Sequence, residues 1–177
     1  WGAAFTLSKK SLGGRLPLSR LLEDAIHYAE HGVPVTHSQS ALTEKKRAEL
    51  TPQPGFADTF LVNGKAPATG SVFLQKRLAA TLRQITKKGT EDYYRGELAE
   101  QIAKELKQIG SPLRLDDLQR HQAKLINPLH LAHSLADVYN MTPPTQGVVS
   151  LMILGILDQL KLKQFTVDSP EYVHHCV

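Results

Sequence analysis

The sequence contains a single cysteine, Cys176, among its 177 residues. One thiol can form neither an intrachain disulfide nor a thiolate metal cluster, and it leaves the redox compartment open. Nowhere do the roughly 18 consecutive apolar residues occur that a membrane-crossing helix needs. Charge of one sign does not accumulate either. Twenty-one Lys and Arg against 17 Asp and Glu leave +4, with a pI near 9.2, but the two signs are interspersed along the chain. That pattern is a solvated surface, and neither a nucleic-acid nor a membrane partner is expected. A phosphate-binding loop is missing, because Gly13-Gly14 runs into Arg15-Leu16 with no Lys-Ser/Thr sequel. With 41% apolar and only 21% charged residues, the chain can build a core and is not disordered.

Helical periodicity is what the sequence has in quantity. In residues 89–121 Tyr94, Leu98, Ile102 and Leu106 recur every fourth position, and Ala99, Ala103 and Ile109 widen the stripe. Thr90 is a candidate N-cap, Glu91 and Asp92 suit the positive helix end, and Gly110 can end the helix in a left-handed conformation. A new helix is expected to start at Asp116-Asp117.

Upstream, residues 1–16 show a Gly13-Gly14 break and no period. After Pro17 the residues Leu21, Leu22, Ala25, Ile26 and Ala29 form a helical stripe that Gly32 stops. Val33 precedes a proline and is therefore extended. Thr36 followed by Gln39 opens a polar helix in capping-box order. Residues 51–71 carry Pro52, Pro54, Gly55, Gly64, Pro67 and Gly70, which predicts loop, with Phe60-Leu61-Val62 as a short strand before an Asn63-Gly64 turn. Leu74, Leu78, Ala79, Leu82 and Ile85 mark a helix that ends at Gly89.

Beyond His121 the period shortens. Pro128 interrupts any helix across residues 125–131, and residues 136–141 alternate as a strand does, so two edge-type extended segments are expected. Thr142-Pro143-Pro144-Thr145-Gln146-Gly147 is a rigid bend. It leads into residues 148–157, which are apolar on nearly every side and read as a helix buried all round. Burying its Leu, Ile, Val and Met side chains is worth about 1.5–3 kcal/mol each before entropy. Too little other helix is available to surround it. Ser169-Pro170-Glu171 then begins a last helix. With the Trp1-Gly2-Ala3 start, which carries no Met and no leader pattern, these features predict a fragment of a longer protein. The reading is one mainly α domain over residues 1–177, with a few short extended segments.

Reactive side chains do not assemble into a catalytic pattern. Of eight histidines, His130 and His133 lie three apart in an extended stretch and point to opposite faces, and the adjacent His174 and His175 diverge. His27 and His31 share a helical face, but Gly32 ends the helix there and dipole pairing explains His31. Thr36, His37 and Ser38 bring a hydroxyl beside an imidazole, yet adjacent side chains on a helix start do not face each other, and no G-x-S-x-G elbow surrounds them. Asp116-Asp117 reads as a helix start, and Lys87-Lys88 suits a helix C-terminus. No metal and no cofactor is indicated.

The order of segments resembles the large, N-terminal subunit of the gamma-glutamyltransferase family, the gamma-glutamyltranspeptidases or glutathione hydrolases. The pieces that carry the resemblance begin with Leu21-Leu22-Glu23-Asp24-Ala25-Ile26, Ala29-Glu30-His31-Gly32-Val33-Pro34-Val35 and Leu78-Ala79-Ala80-Thr81-Leu82. The Gly89-Thr90-Glu91-Asp92-Tyr93-Tyr94-Arg95-Gly96-Glu97-Leu98-Ala99 block follows, then Asp117-Leu118 and Asn127-Pro128-Leu129. Pro143-Pro144-Thr145-Gln146-Gly147 ahead of Leu154-Gly155-Ile156-Leu157, and His174 after Ser169-Pro170-Glu171-Tyr172, complete it. The resemblance implies the helical portion of an N-terminal-nucleophile hydrolase. Its precursor cuts itself, and a Thr at the start of the small subunit attacks a γ-glutamyl amide such as glutathione. That Thr follows the large subunit and the carboxylate-clamping arginine precedes the matched region, so no catalytic, substrate-binding or metal residue is carried onto this chain. Alone the chain is expected to be inactive, with the small subunit as its partner and a periplasmic or secreted location implied. Gly110-Ser111 and Thr145-Gln146-Gly147-Val148 depart from the family's Gly-Gly and Ser-Ser-Gly-Gly, which points to a divergent member. A cephalosporin-acylase-like amidase and a non-enzymatic helical interaction module are the alternatives.

Overall fold

The computed structural model describes residues 1–160 and 164–177. The chain divides into two compact units, Trp1–Ala123 and Lys124–Val177, where the sequence reading has one helical domain.

In the first unit, helices α2 (Leu18–His31) and α5 (Lys76–Lys88) pack along each other. Leu22 of α2, Ile85 of α5 and Leu98 of α7 (Glu97–Gln108) form the buried cluster, with Leu18 and Ile26 against it. Apart from Leu18 the expected stripes supply these contacts, whereas Leu21, Ala25 and Leu78 of the stripes are exposed and Leu74 lies exposed before α5. Helix α1 (Gly2–Ser11) was not expected. It buries no side chain, so it carries no periodic signal to read.

A chain reversal after α2 depends on Gly32. Its φ of 92° is a conformation that side chains resist, and a Cβ there would stand 2.3 Å from Val72 Cγ1. The bare backbone lets β1 (Val33–Pro34) pair with β2 (Val72–Phe73), and buried Val35 extends the pairing to Gly70 and Ser71. Between them, α3 (His37–Leu50) buries nothing, and the Thr36 hydroxyl caps it by accepting the Gln39 N–H at 3.1 Å. Phe60 belongs to a short helix, α4 (Phe56–Phe60), and not to a strand, where its ring lies 5.5 Å from that of Phe56. The Asn63-Gly64 turn does form: both residues have positive φ, and Val62 and Lys65 exchange backbone hydrogen bonds of 2.9 and 3.1 Å.

The helix expected across residues 90–109 is broken. It consists of α6 (Asp92–Arg95) and α7, separated at Gly96. Asp92, and not Thr90, supplies the cap: its Oδ1 accepts the Glu97 N–H at 3.1 Å and its Oδ2 accepts from Gln84 Nε2 at 2.8 Å. Leu98, Ala99 and Ala103 are the buried face of α7, and Gly110 ends it at φ 75°. Ile109 lies beyond the last turn and is exposed. Helix α8 (Leu115–Arg120) follows, with Asp117 accepting the Arg114 N–H at 2.9 Å.

In the second unit, β3 (Leu129–His133) and β4 (Ala136–Asn140) form an antiparallel hairpin, paired from Leu129↔Asn140 to His133↔Ala136. This matches the two extended segments expected. A bend with a cis Pro143-Pro144 peptide leads into α9 (Gly147–Gln159), which lies against the hairpin. At Gly147 an added Cβ would meet the Met141 carbonyl oxygen at 2.3 Å, so only glycine lets the helix begin there. Within the described residues α9 is not buried all round. Leu151 is buried, whereas Met152 is 60% and Ile156 57% exposed. Helix α10 (Pro170–Cys176) begins as expected, with Ser169 Oγ accepting the Tyr172 N–H.

Candidate functional site

Concave surfaces of different chemistry lie in the two units. In the first unit an open cavity of about 680 Å³ lies over α6, where α5 ends and α8 hands over to His121. Arg95 holds its wall together: one guanidinium nitrogen pairs with Glu91 and the other donates to the His121 carbonyl at 2.7 Å. Tyr94 stacks on the His121 ring, 5.0 Å away and 20° from parallel, and Trp1 and Tyr93 add aromatic surface. Two of the five guanidinium N–H donors of Arg95 are engaged by these partners. The cavity offers the aromatic faces of Trp1, Tyr93 and Tyr94, the His121 imidazole and the Arg95–Glu91 pair.

The second unit holds an apolar groove between β3 and α9, lined by Leu129, Leu131, Leu151, Met152 and Ile156. At its hairpin end three reactive side chains meet, which spacing along the chain does not announce. Asp158 Oδ1 accepts from the Ser134 hydroxyl, Asp158 Oδ2 accepts the Ser134 N–H at 3.0 Å, and His133 Nε2 lies 3.5 Å from the same carboxylate. The composition is Ser, His and Asp, but the order is wrong for a nucleophile. The carboxylate sits between the other two, so the hydroxyl has no imidazole to take its proton. His133 Nδ1 also accepts the Leu135 N–H at 3.1 Å, which leaves the ring serving the turn. This cluster ties the hairpin to α9.

The remaining sequence candidates stay apart. His130 faces away from His133, contacts Asp137 at 2.6 Å and stacks on Tyr139. His174 and His175 have ring centres 5.5 Å apart and inclined by 56°, and His175 lies against Phe165. Thr36 caps α3, as above. Asp117 is held below its ordinary range first by the Arg114 N–H and then by Arg120, the behaviour of a cap. Lys88 is raised by its 2.5 Å contact with Glu97 at the start of α7. Among the described residues no three His, Cys, Asp or Glu side chains cluster as metal ligands, and no helix is long and apolar enough to cross a membrane.

This mainly helical chain matches a known class. The gamma-glutamyltranspeptidase family model matches residues 8–177, and the chain belongs to that family, as part of its large, N-terminal subunit. It is 48% identical over all of its length to the oxamate amidohydrolase proenzyme of Klebsiella pneumoniae, of which it spans 33%. Among solved structures it is similar to the Helicobacter pylori gamma-glutamyltranspeptidase (TM-score 0.87, 27% identity), covering 96% of this chain and 49% of that one. It is also similar to the cephalosporin acylase of Bacillus halodurans (TM-score 0.83, 33% identity), covering 98% of this chain and 33% of that one. The chain thus spans about a third of the length of the curated relative.

Proposed function

We propose that this chain is the helical scaffold of an N-terminal-nucleophile amidase proenzyme, whose complete form cleaves or transfers the acyl group of a small amide. The family match over residues 8–177 carries the reading. In the complete enzyme the hydroxyl of an N-terminal Thr on the small subunit adds to the amide carbonyl, with its own α-amine taking the proton. Backbone N–H groups hold the oxyanion, the amine departs, and water or an acceptor amine releases the acyl group. The exposed apolar side of α9 is where the rest of the proenzyme packs.

The first reading of the substrate is a γ-glutamyl amide of the glutathione type. A second, an oxamate-type small amide, is favoured by the 48% identity over the whole chain to the Klebsiella pneumoniae protein. The test is to purify the full-length protein, measure the mass and N-terminus of each species, and assay γ-glutamyl-p-nitroanilide, oxamate and a cephalosporin side-chain amide in parallel. A second chain beginning with Thr, and turnover of one of the amides, is the expected result. An uncleaved protein that turns over none of them overturns the proposal and leaves the interaction-module alternative.

A further inference from the structure

The last turn of α2 carries a feature that the amidase chemistry does not use. His27 and His31 are one helical turn apart, with rings stacked at 4.4 Å and 26° from parallel. His31 Nδ1 lies 3.0 Å from the His27 carbonyl oxygen. A carbonyl only accepts, so Nδ1 bears the hydrogen, and in the neutral ring the Nε2 lone pair is free and directed away from the helix. An imidazole anchored through one nitrogen to a backbone carbonyl is how metal-ligating histidines are held, because the anchor fixes both tautomer and ring direction. Neither nitrogen of His27 has a hydrogen-bond partner among the described residues, and its ring is exposed beside that of His31.

We propose that His27 and His31 form a two-histidine site for a divalent transition metal of the Zn²⁺ or Ni²⁺ type on the C-terminal turn of α2. Histidines at i and i+4 on one face are the spacing by which a helix chelates such ions. The segment His27-Tyr28-Ala29-Glu30-His31 also has the H-x-x-E-H order of one class of zinc-peptidase helix. It is not a peptidase centre. Glu30 is committed to Arg83, which holds its carboxyl below the ordinary range, and no third His, Cys, Asp or Glu joins the pair among the described residues. Glu23 and Asp24, the other acids near this face, are both paired with Arg20. The ion is therefore held by two imidazoles once the exposed His27 ring turns out of the stack to aim a nitrogen at the point His31 Nε2 faces, with water in the remaining positions, and the site serves binding and not hydrolysis.

The experiment is a titration of Zn²⁺ into the full-length protein in competition with a chromophoric chelator, alongside H27Q, H31Q and, as a control, H174Q. One site is expected in the parent and in H174Q, weakened by about tenfold or more in H27Q and in H31Q. Because the chelate staples the last turn of α2, Zn²⁺ should also raise the thermal midpoint of the parent and not of the two variants. Binding weaker than about 100 μM in the parent, or equal binding by the parent, H27Q and H31Q, overturns the assignment.

Discussion

Asp92 and Glu97 are joined across the break between α6 and α7: the Asp92 carboxylate accepts the Glu97 N–H at 3.1 Å while its other oxygen takes the Gln84 amide. Asp92 is the one buried charged residue of the described chain, only 7% exposed, and both of its oxygens are satisfied. It sets the angle at which α7 delivers Leu98 to the core.

Gly96 makes this cap possible. A Cβ at Gly96 would stand 2.1 Å from Asp92 Oδ1, although its φ of −112° would suit any residue. G96A should therefore expel the carboxylate and cost about 1–3 kcal/mol, the range for an unmade buried hydrogen bond and a lost cap. D92N, which keeps an acceptor for Glu97, should cost less than D92A. Denaturant unfolding of the three variants checks the order.

The lock between Ser134 and Asp158 makes a second prediction. D158A removes the acceptor of both the hydroxyl and the backbone N–H of Ser134, at a cost of about 1–3 kcal/mol. S134A removes the hydroxyl alone and should cost less. Amide exchange of residues 129–140 should rise more in D158A than in S134A. Equal protection in both would refute the clamp.

Asp117 sets a pH dependence. Its folded pKa lies below the ordinary 3.8, because the Arg114 N–H and the Arg120 side chain favour the carboxylate. A depressed acid stabilises the fold fully above its unfolded pKa, and this contribution is lost as pH falls through the folded value. Helix α8 should accordingly hold its protection down to about pH 4 and lose it below that. D117N should remove the transition. Amide exchange of α8 between acidic and neutral pH reads it.

The apolar side of α9 predicts the behaviour of the chain when it is expressed alone. Val149, Met152, Ile153 and Ile156 are 45%, 60%, 52% and 57% exposed, a patch that binds hydrophobic dye and favours association. M152K with I156K should quench the dye signal of the isolated chain. In the full-length protein the same pair should lower the yield of folded enzyme. A dye-silent parent chain would contradict this.

Legibility followed the kind of interaction that holds each element. The stripes of α2, α5 and α7, the Thr36 cap, the Asn63-Gly64 turn and the β3–β4 pair were readable, since each rests on neighbours within a few residues. Helix α1 was not, for it buries no face, and the break at Gly96 was hidden because Tyr94 continues the four-residue spacing across it. Phe60 passed for a strand residue because its neighbours Leu61 and Val62 have strand character. Of the candidate sites, the separation of His130 from His133 followed from strand alternation alone. The approach of Asp158 to Ser134, 24 residues apart, did not.

From the sequence alone come the mainly helical class and the family resemblance, since these depend on residue type and short-range period. Tertiary structure alone decided that Asp92 caps its neighbour helix, that Ser134, His133 and Asp158 form a lock in place of a triad, and that His31 turns a free Nε2 outward beside His27. The physical reason is direction. A hydrogen bond depends on where a lone pair points, and that is settled only when the backbone segments carrying donor and acceptor have been brought together.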